Sequence, residues 1–232
     1  MRSIDLNADL GEGGMEDAAL LGLVTSCNIA CGGHAGSDEI MRRTVELANA
    51  AGVSIGAHPG YEDRENFGRL EMNLPLQIVT DLVARQVEKL AGFAGHLHHV
   101  KPHGALYNQA NRDDLLAAAV VEGVRKISPS LMLYAPPNGA LAKAGRAAGL
   151  IIKAEGFADR RYREDGSLVP RSEAGAVISD IDEAVAQAMA LARGGVMETI
   201  CVHGDGAHAV AMLREIRKAF GSGDSPWIVS AL

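Results

Sequence analysis

Apolar residues along the chain fall in short runs that recur at roughly 25 to 35 residue intervals, each closed by a polar or glycine-containing knot and followed by helical periodicity. The runs predict strands at Ile4 to Asn7, Cys27 to Ala30, Val53 to Ala57, His99 to Lys101, Leu131 to Ala135, Leu150 to Ala154 and Thr199 to Val202, with Trp227 to Ser230 as a further candidate. Between them, Ile40, Thr44, Leu47, Ala48 and Ala51 repeat at helical spacing, as do Val79, Val83, Val87 and Leu90, and then Ile181, Val185, Ala188 and Ala192. Each set predicts a surface helix with one buried stripe. Pro75 suits a first helical turn and Gly52 a helix stop. Strands alternating with helices, without a linker rich in proline, serine or charge, predict an α/β fold. A parallel (β/α) barrel of about seven strands is favoured over an open doubly wound sheet.

Composition narrows the picture without changing it. With 232 residues, 47% of them hydrophobic, one domain spanning residues 1–232 can bury a sizeable core. The aromatic share of 4% beside 27 glycines suits tight strand-to-helix turns more than a β-sandwich. A net charge of −7 argues against a nucleic-acid partner, which requires a dense positive face. Three cysteines do not make a disulfide framework, the first residues carry charges where a signal peptide would be apolar, and no apolar run is long enough to cross a bilayer. A cytoplasmic enzyme without a membrane partner is expected.

Chemistry is expected where the strands end, because βα loops and helix N-termini converge there in parallel folds. Asn7, Asp9 and Glu12 follow the first predicted strand, His34 the second, His58 the third, and Lys101, His103 and Asn108 the fourth. Glu155, Asp159, Arg160 and Arg171 follow the sixth, and His203 and Asp205 the seventh. Any one of these alone reads as a turn residue, a helix cap or a solvated charge. Four histidines, each within a few positions of a strand end, exceed what packing requires. The long stretch from Glu155 to Ser172 is a candidate lid.

Several motifs fail on context. Gly52-Val53-Ser54-Ile55-Gly56 has the nucleophile-elbow spacing, but its serine sits inside a predicted strand. Gly204 to Ala209 resembles a dinucleotide fingerprint with too little chain after it for the full βαβ unit. His99 and His103 have metal-pair spacing only on a helix; extended, they stand about 13 Å apart. His96, His98 and His99 are expected to mark the structural end of their strand. Cys27 and Cys31 have no second pair to complete a structural zinc site. No P-loop occurs, so ATP, if used, is held in another way or by a partner.

The stretches DLNADLGE from Asp5 to Glu12, NIACGGHAG from Asn28 to Gly36, GAHP around His58, FGR at Phe67 to Arg69, VKPHGALYN from Val100 to Asn108, FADR with LVPR ending at Arg160 and Arg171, and VHGD ending at Asp205 together resemble the LamB/YcsF family, the A subunit of prokaryotic 5-oxoprolinase. The chain has Gly13-Gly14-Met15 where that family usually has Ser-Phe-Gly, Gly33 where an aromatic usually precedes the histidine, and Gly206-Ala207 where Thr-Pro is frequent. The resemblance implies an incomplete, deacetylase-like barrel. It also implies ATP-dependent opening of 5-oxo-L-proline to L-glutamate, with ATP as co-substrate and two partner subunits, B and C. On that reading Asp9 or Glu12 is the base, His58 or His103 shuttles the proton, and Lys101 with Arg160 or Arg171 holds a carboxylate or phosphoryl group. Asn7, Asn28, His34, Asn108, Glu155, Asp159, His203 and Asp205 are the remaining candidate substrate contacts. Two alternatives stay open. One is a metal-dependent amide or sugar deacetylase with His34, His58 or His203 and Asp5 or Asp9 around a divalent ion; the other is a noncatalytic subunit that binds a small acid.

Overall fold

Alternate residues of a strand face opposite ways, and the first strand of this chain carries aspartate, asparagine and aspartate on one face and Ile4, Leu6, Ala8 and Leu10 on the other. That division sets the whole architecture. In the computed structural model, which describes residues 2–222 and 226–232, the order is β1 (Arg2–Leu10), α1 (Asp17–Leu21), β2 (Ser26–Ala30), α2 (Asp38–Ala51), β3 (Ser54–His58), α3 (Leu76–Ala94) and β4 (His99–Val100). There follow α4 (Gly104–Ala110), α5 (Asp114–Ile127), β5 (Met132–Ala135), α6 (Ala140–Ala147), β6 (Ile152–Phe157), α7 (Ile181–Arg193), β7 (Thr199–Val202), α8 (Ala209–Phe220) and β8 (Trp227–Val229).

Strands β1 to β7 pair in sequence, all parallel, and β1 pairs with both β2 and β7, so the ring is closed. The incomplete barrel expected from the resemblance is corrected to that extent: seven strands suffice to close it. β8 adds below β2 on the same edge of β1, since the Ile4 carbonyl accepts from the Ser230 amide and the Leu6 carbonyl from the Thr25 amide. The expected helix signals hold. Gly52 ends α2 in the left-handed conformation at φ 67°, Pro75 caps α3, and Val79, Val83, Val87 and Leu90 are the buried stripe of α3.

The apolar core lies between the outward strand faces and the helices, while the barrel interior is polar and layered. At the bottom, the Asp5 carboxylate accepts from the hydroxyls of Thr25 (2.6 Å), Ser26 (2.7 Å), Thr199 (2.5 Å) and Tyr134 (3.3 Å). Burial nonetheless raises its pKa. The middle layer holds Asn7, Asn28, His99, Lys101, Glu155 and Cys201; the top holds Asp9, His58 at the end of β3, and the histidines that follow β2, β4 and β7.

Three sequence-based boundaries move for one reason. Asn7 and Asp9 lie within β1, His58 within β3 and Glu155 within β6, rather than after those strands. A polar residue pointing into the barrel reads, along the sequence, like the end of an apolar strand. His99 is structural, as expected, but it sits inside the barrel, stacked on Tyr134 at 3.8 Å with its Nε2–H donating to Asn28 Oδ1 at 2.7 Å. That ring occupies the space above Gly56, where a β-carbon would meet His99 Nε2 at 2.1 Å. Gly56→Ala is therefore expected to cost about 3 kcal/mol and to lower the melting temperature by roughly 6–12 °C, read by thermal unfolding. An unchanged transition would show that the ring can move aside.

Candidate active site

Lys101 follows β4 directly and enters the buried interior of the barrel, so the sequence must supply its counter-charges. Its Nζ lies 2.8 Å from Asp9 Oδ1, 3.1 Å from Glu155 Oε1 and 3.0 Å from Cys201 Sγ. Burial alone would lower the ammonium's pKa; Asp9 above all outweighs it and the pKa is raised well above the ordinary value. Burial likewise pushes the Asp9 carboxyl up, but His58 and Lys101 outweigh that and hold it well below the usual carboxylate range. Asn28 Nδ2 also donates to Asp9 Oδ1 at 2.8 Å, which leaves Oδ2 facing the top of the barrel. Glu155 is fully engaged from below, by Lys101 and Asn7 on one oxygen and by the Tyr107 hydroxyl, at 2.8 Å, on the other.

Above Asp9 stand three imidazoles and a carboxylate, His58 from the last position of β3 and Glu12, His34 and His103 from the connections after β1, β2 and β4. His58 Nε2 is 3.4 Å from Asp9 Oδ2, 2.9 Å from His103 Nδ1 and 3.9 Å from Glu12 Oε1. Glu12 Oε1 is also 3.2 Å from His34 Nε2 and 3.4 Å from His103 Nδ1. The His34 and His103 rings stack at 3.6 Å. Glycines make the close approach feasible: a β-carbon on Gly60 or Gly68 would lie 2.8 or 2.7 Å from His34 atoms, and Gly68 has φ +62°. The preceding residue, Phe67, is also left-handed at φ 57°, a strained conformation for an aromatic residue. It aims the Phe67 carbonyl at His103 Nε2, 2.9 Å away. Burial pushes the Glu12 carboxyl up to about 9, helped by Asp9 and Asp205. It pushes the His34 imidazole down to about 2, helped by His58.

His203 completes the rim from β7. Its Nδ1 lies 2.9 Å from Asp159 Oδ2, its ring stacks on Phe157 at 5.3 Å, and its Nε2 points toward Asp9 Oδ2 at 4.0 Å. Asp159 thus fixes the tautomer and orientation and leaves Nε2 directed into the site. Over this group, Arg69 and Asp205 form an ion pair across two loops, with Arg171 4.0 Å from the same carboxylate. These outer groups are about one-third exposed or less, whereas the side chains of Asp9, His34, His58 and His103 are at most 5% exposed.

Asp9, Glu12, His34, His58, His103, Asp159, Arg171, His203 and Asp205 therefore come together at one rim, with Lys101 directly beneath Asp9. Asn7 and Asn28 lie just beneath, hydrogen-bonded to each other and to Asp9 or Glu155, and support the site from below. Asp5 lies at the bottom of the barrel, with its oxygens engaged by hydroxyls. Arg160 is committed to the loop that follows β6, its guanidinium donating to the carbonyls of Val169 and Ala176. Asn108 is exposed and lines a cavity of about 870 Å³ beside α7, with Glu155 and Tyr107 also in its wall. The candidate lid lines that cavity through Tyr162, Leu168 and Val169, while its Asp159 and Arg171 reach the histidine rim. Arg69 and Phe67 follow no predicted strand end and give no such signal in the sequence, although both lie in the FGR stretch that carries the resemblance. Gly33 also has a local reason: a β-carbon there would meet the Gln86 amide at 2.6 Å, and that amide braces both backbone groups of Gly60.

A model of the LamB/YcsF family matches residues 4–226. The chain belongs to the LamB/YcsF family. It is similar over its whole length to the lactam utilization protein of Thermus thermophilus, with 36% identity, full coverage of both chains and a TM-score of 0.92. A more distant likeness, of fold alone, is to the catalytic domain of a peptidoglycan N-acetylglucosamine deacetylase from Eubacterium rectale. There the identity is 11%, the TM-score 0.54, and 99% of this chain and 89% of that one are covered. A deacetylase solved with substrate, T48, gives 14% identity and a TM-score of 0.55 over 98% of this chain and 88% of that one. The deacetylase-like barrel expected from the sequence is thus present. Among the described residues, no helix is long and apolar enough to cross a membrane.

Proposed function

We propose that this chain is the A subunit of a cytoplasmic, ATP-dependent 5-oxoprolinase, which opens 5-oxo-L-proline to L-glutamate together with two partner subunits, B and C. Membership of the LamB/YcsF family and likeness to a lactam utilization protein support a small lactam as substrate. The observation that carries the reading is the buried rim on which Asp9, Glu12, His58, His103 and the Asp159–His203 pair face one small space.

A five-membered lactam is a poor electrophile, and transfer of a phosphoryl group from ATP to its amide oxygen turns that oxygen into a leaving group. Water then attacks the ring carbon, the C–N bond breaks as nitrogen takes a proton, and a second water hydrolyses the acyl phosphate to glutamate and phosphate. Asp9, held ionised by His58 and Lys101, accepts the proton of the attacking water through its Oδ2. His203, oriented by Asp159, delivers a proton to the departing nitrogen. Arg69 and Arg171 stand at the mouth, where the lactam carboxylate or a phosphoryl group would enter. Arg160 and Lys101 act indirectly on this account, one by bracing the loop and the other by holding Asp9.

The test is glutamate release from 5-oxoproline by this chain purified with its B and C partners, with and without ATP. Turnover only in the complete mixture supports the reading. Turnover by the isolated chain without ATP, or none in the complete mixture, contradicts it.

A further inference from the structure

Two backbone carbonyls fix the protonation of two imidazoles in this site. His58 Nδ1 lies 2.6 Å from the Lys101 carbonyl oxygen, and His103 Nε2 lies 2.9 Å from the Phe67 carbonyl oxygen. A carbonyl only accepts, so each of these nitrogens carries the hydrogen. In the neutral rings the remaining nitrogens, His58 Nε2 and His103 Nδ1, are then both bare lone pairs, yet they face each other at 2.9 Å. Two acceptors at that distance repel unless something positive lies between them. Glu12 Oε1 points at the same spot, and Glu12, His34, His58 and His103 each offer one ligand atom within 4.8 Å of the other three.

We propose that Glu12, His58 and His103 bind one divalent transition-metal ion such as Zn²⁺ and leave it a fourth position. Imidazole nitrogens with one carboxylate oxygen are a donor set that such ions prefer over Mg²⁺ or Ca²⁺, which take oxygen. A tetrahedral ion with bonds of about 2.0–2.1 Å needs ligand atoms about 3.3 Å apart. The observed separations are 2.9 Å between His58 Nε2 and His103 Nδ1, and 3.4 and 3.9 Å from Glu12 Oε1 to His103 and His58. The N–H to carbonyl bonds of His58 and His103 are the outer contacts that characteristically orient metal-bound imidazoles. The strained Phe67 then has a purpose: its carbonyl selects the tautomer that turns His103 Nδ1 inward. His34 adds no fourth bond: its ring lies flat on His103, 3.6 Å away with 3° between the planes, so the in-plane lone pairs of the two rings do not meet at one ion. Asp9 Oδ2, 3.4 Å from His58 Nε2, adds negative charge beside the ion without being needed to hold it.

The proposal does not depend on the lactam reading: a chain that binds the ion but opens no lactam leaves it standing. Isothermal titration of the metal-stripped full-length chain with Zn²⁺ is expected to show one ion per chain. Glu12→Gln and His103→Gln should each weaken binding by roughly 100-fold or more, beyond the 10–100-fold that loss of an outer contact produces. His34→Ala should weaken it less, and His96→Gln, exposed and outside the cluster, not at all. Wild-type binding that is absent, or unchanged in both the Glu12 and His103 variants, overturns the proposal. Should those variants fail to fold, X-ray absorption at the zinc edge of the wild-type chain decides. Imidazole nitrogen with carboxylate oxygen supports it, and sulfur ligation, from the buried cysteines, refutes it.

Discussion

Replacing Lys101 by methionine, which keeps much of the volume and removes the charge, is expected to destabilise the fold by about 3–5 kcal/mol. The ammonium neutralises two carboxylates, Asp9 and Glu155, in an interior where its own exposure is 2%. Without it, both are left buried without that cation, and a chain of this size should melt roughly 6–20 °C lower. Packing loss and charge loss separate in a double-mutant cycle. Adding Glu155→Gln to Lys101→Met removes one of the stranded charges, so the pair should be less destabilised than the sum of the two single variants by about 1–3 kcal/mol. Strict additivity in denaturant titrations would mean that Lys101 matters here only as a filler of space. The same substitution should also abolish turnover, because Asp9 loses a neighbour that keeps it ionised.

His203→Gln is expected to lower turnover by about 10²–10⁴-fold, the usual contribution of a positioned acid or base, while the melting temperature stays near that of the wild type. The ring is 14% exposed and packs mainly on Phe157, so its removal leaves no large void. The sharper test is Asp159→Asn. An amide in place of the carboxylate can donate to the ring as well as accept from it, so the tautomer is no longer fixed and Nε2 carries the wrong proton for part of the time. Turnover should fall, with little change in KM, and its pH profile should shift, whereas a purely structural aspartate would affect stability and leave the profile of the folded enzyme unmoved. Full activity in both variants would remove His203 from the proton path.

Much of the fold is readable from the chain, and the residues show why. Val79, Val83, Val87 and Leu90 repeat at helical spacing because one face of α3 must be buried, so its position follows directly. Strand ends were harder. Asp5, Asn7 and Asp9 alternate with apolar residues because the barrel is filled by polar side chains, and that alternation breaks the apolar signal before β1 has ended. Convergence of the histidines was legible from their places after successive strands. The pairing of groups was not, since a contact such as Lys101 with Asp9 spans 92 positions and is made only when the ring closes. Arg160 looked equal to Arg171 along the sequence, but the local bridge between Arg160 and Val177 folds the loop back and uses the guanidinium within it. Phe67 gave no signal of its own, because a positive φ at an aromatic residue is a property of the tertiary fold.

If the buried carboxylate and imidazole cluster is where the lactam is opened, loss of its general base must stop the reaction. Glutamate release by the Asp9→Asn chain, assembled with its partner subunits and supplied with ATP, is expected to fall by about 10³-fold, with assembly unchanged. Release at the wild-type rate from that variant would place the chemistry elsewhere.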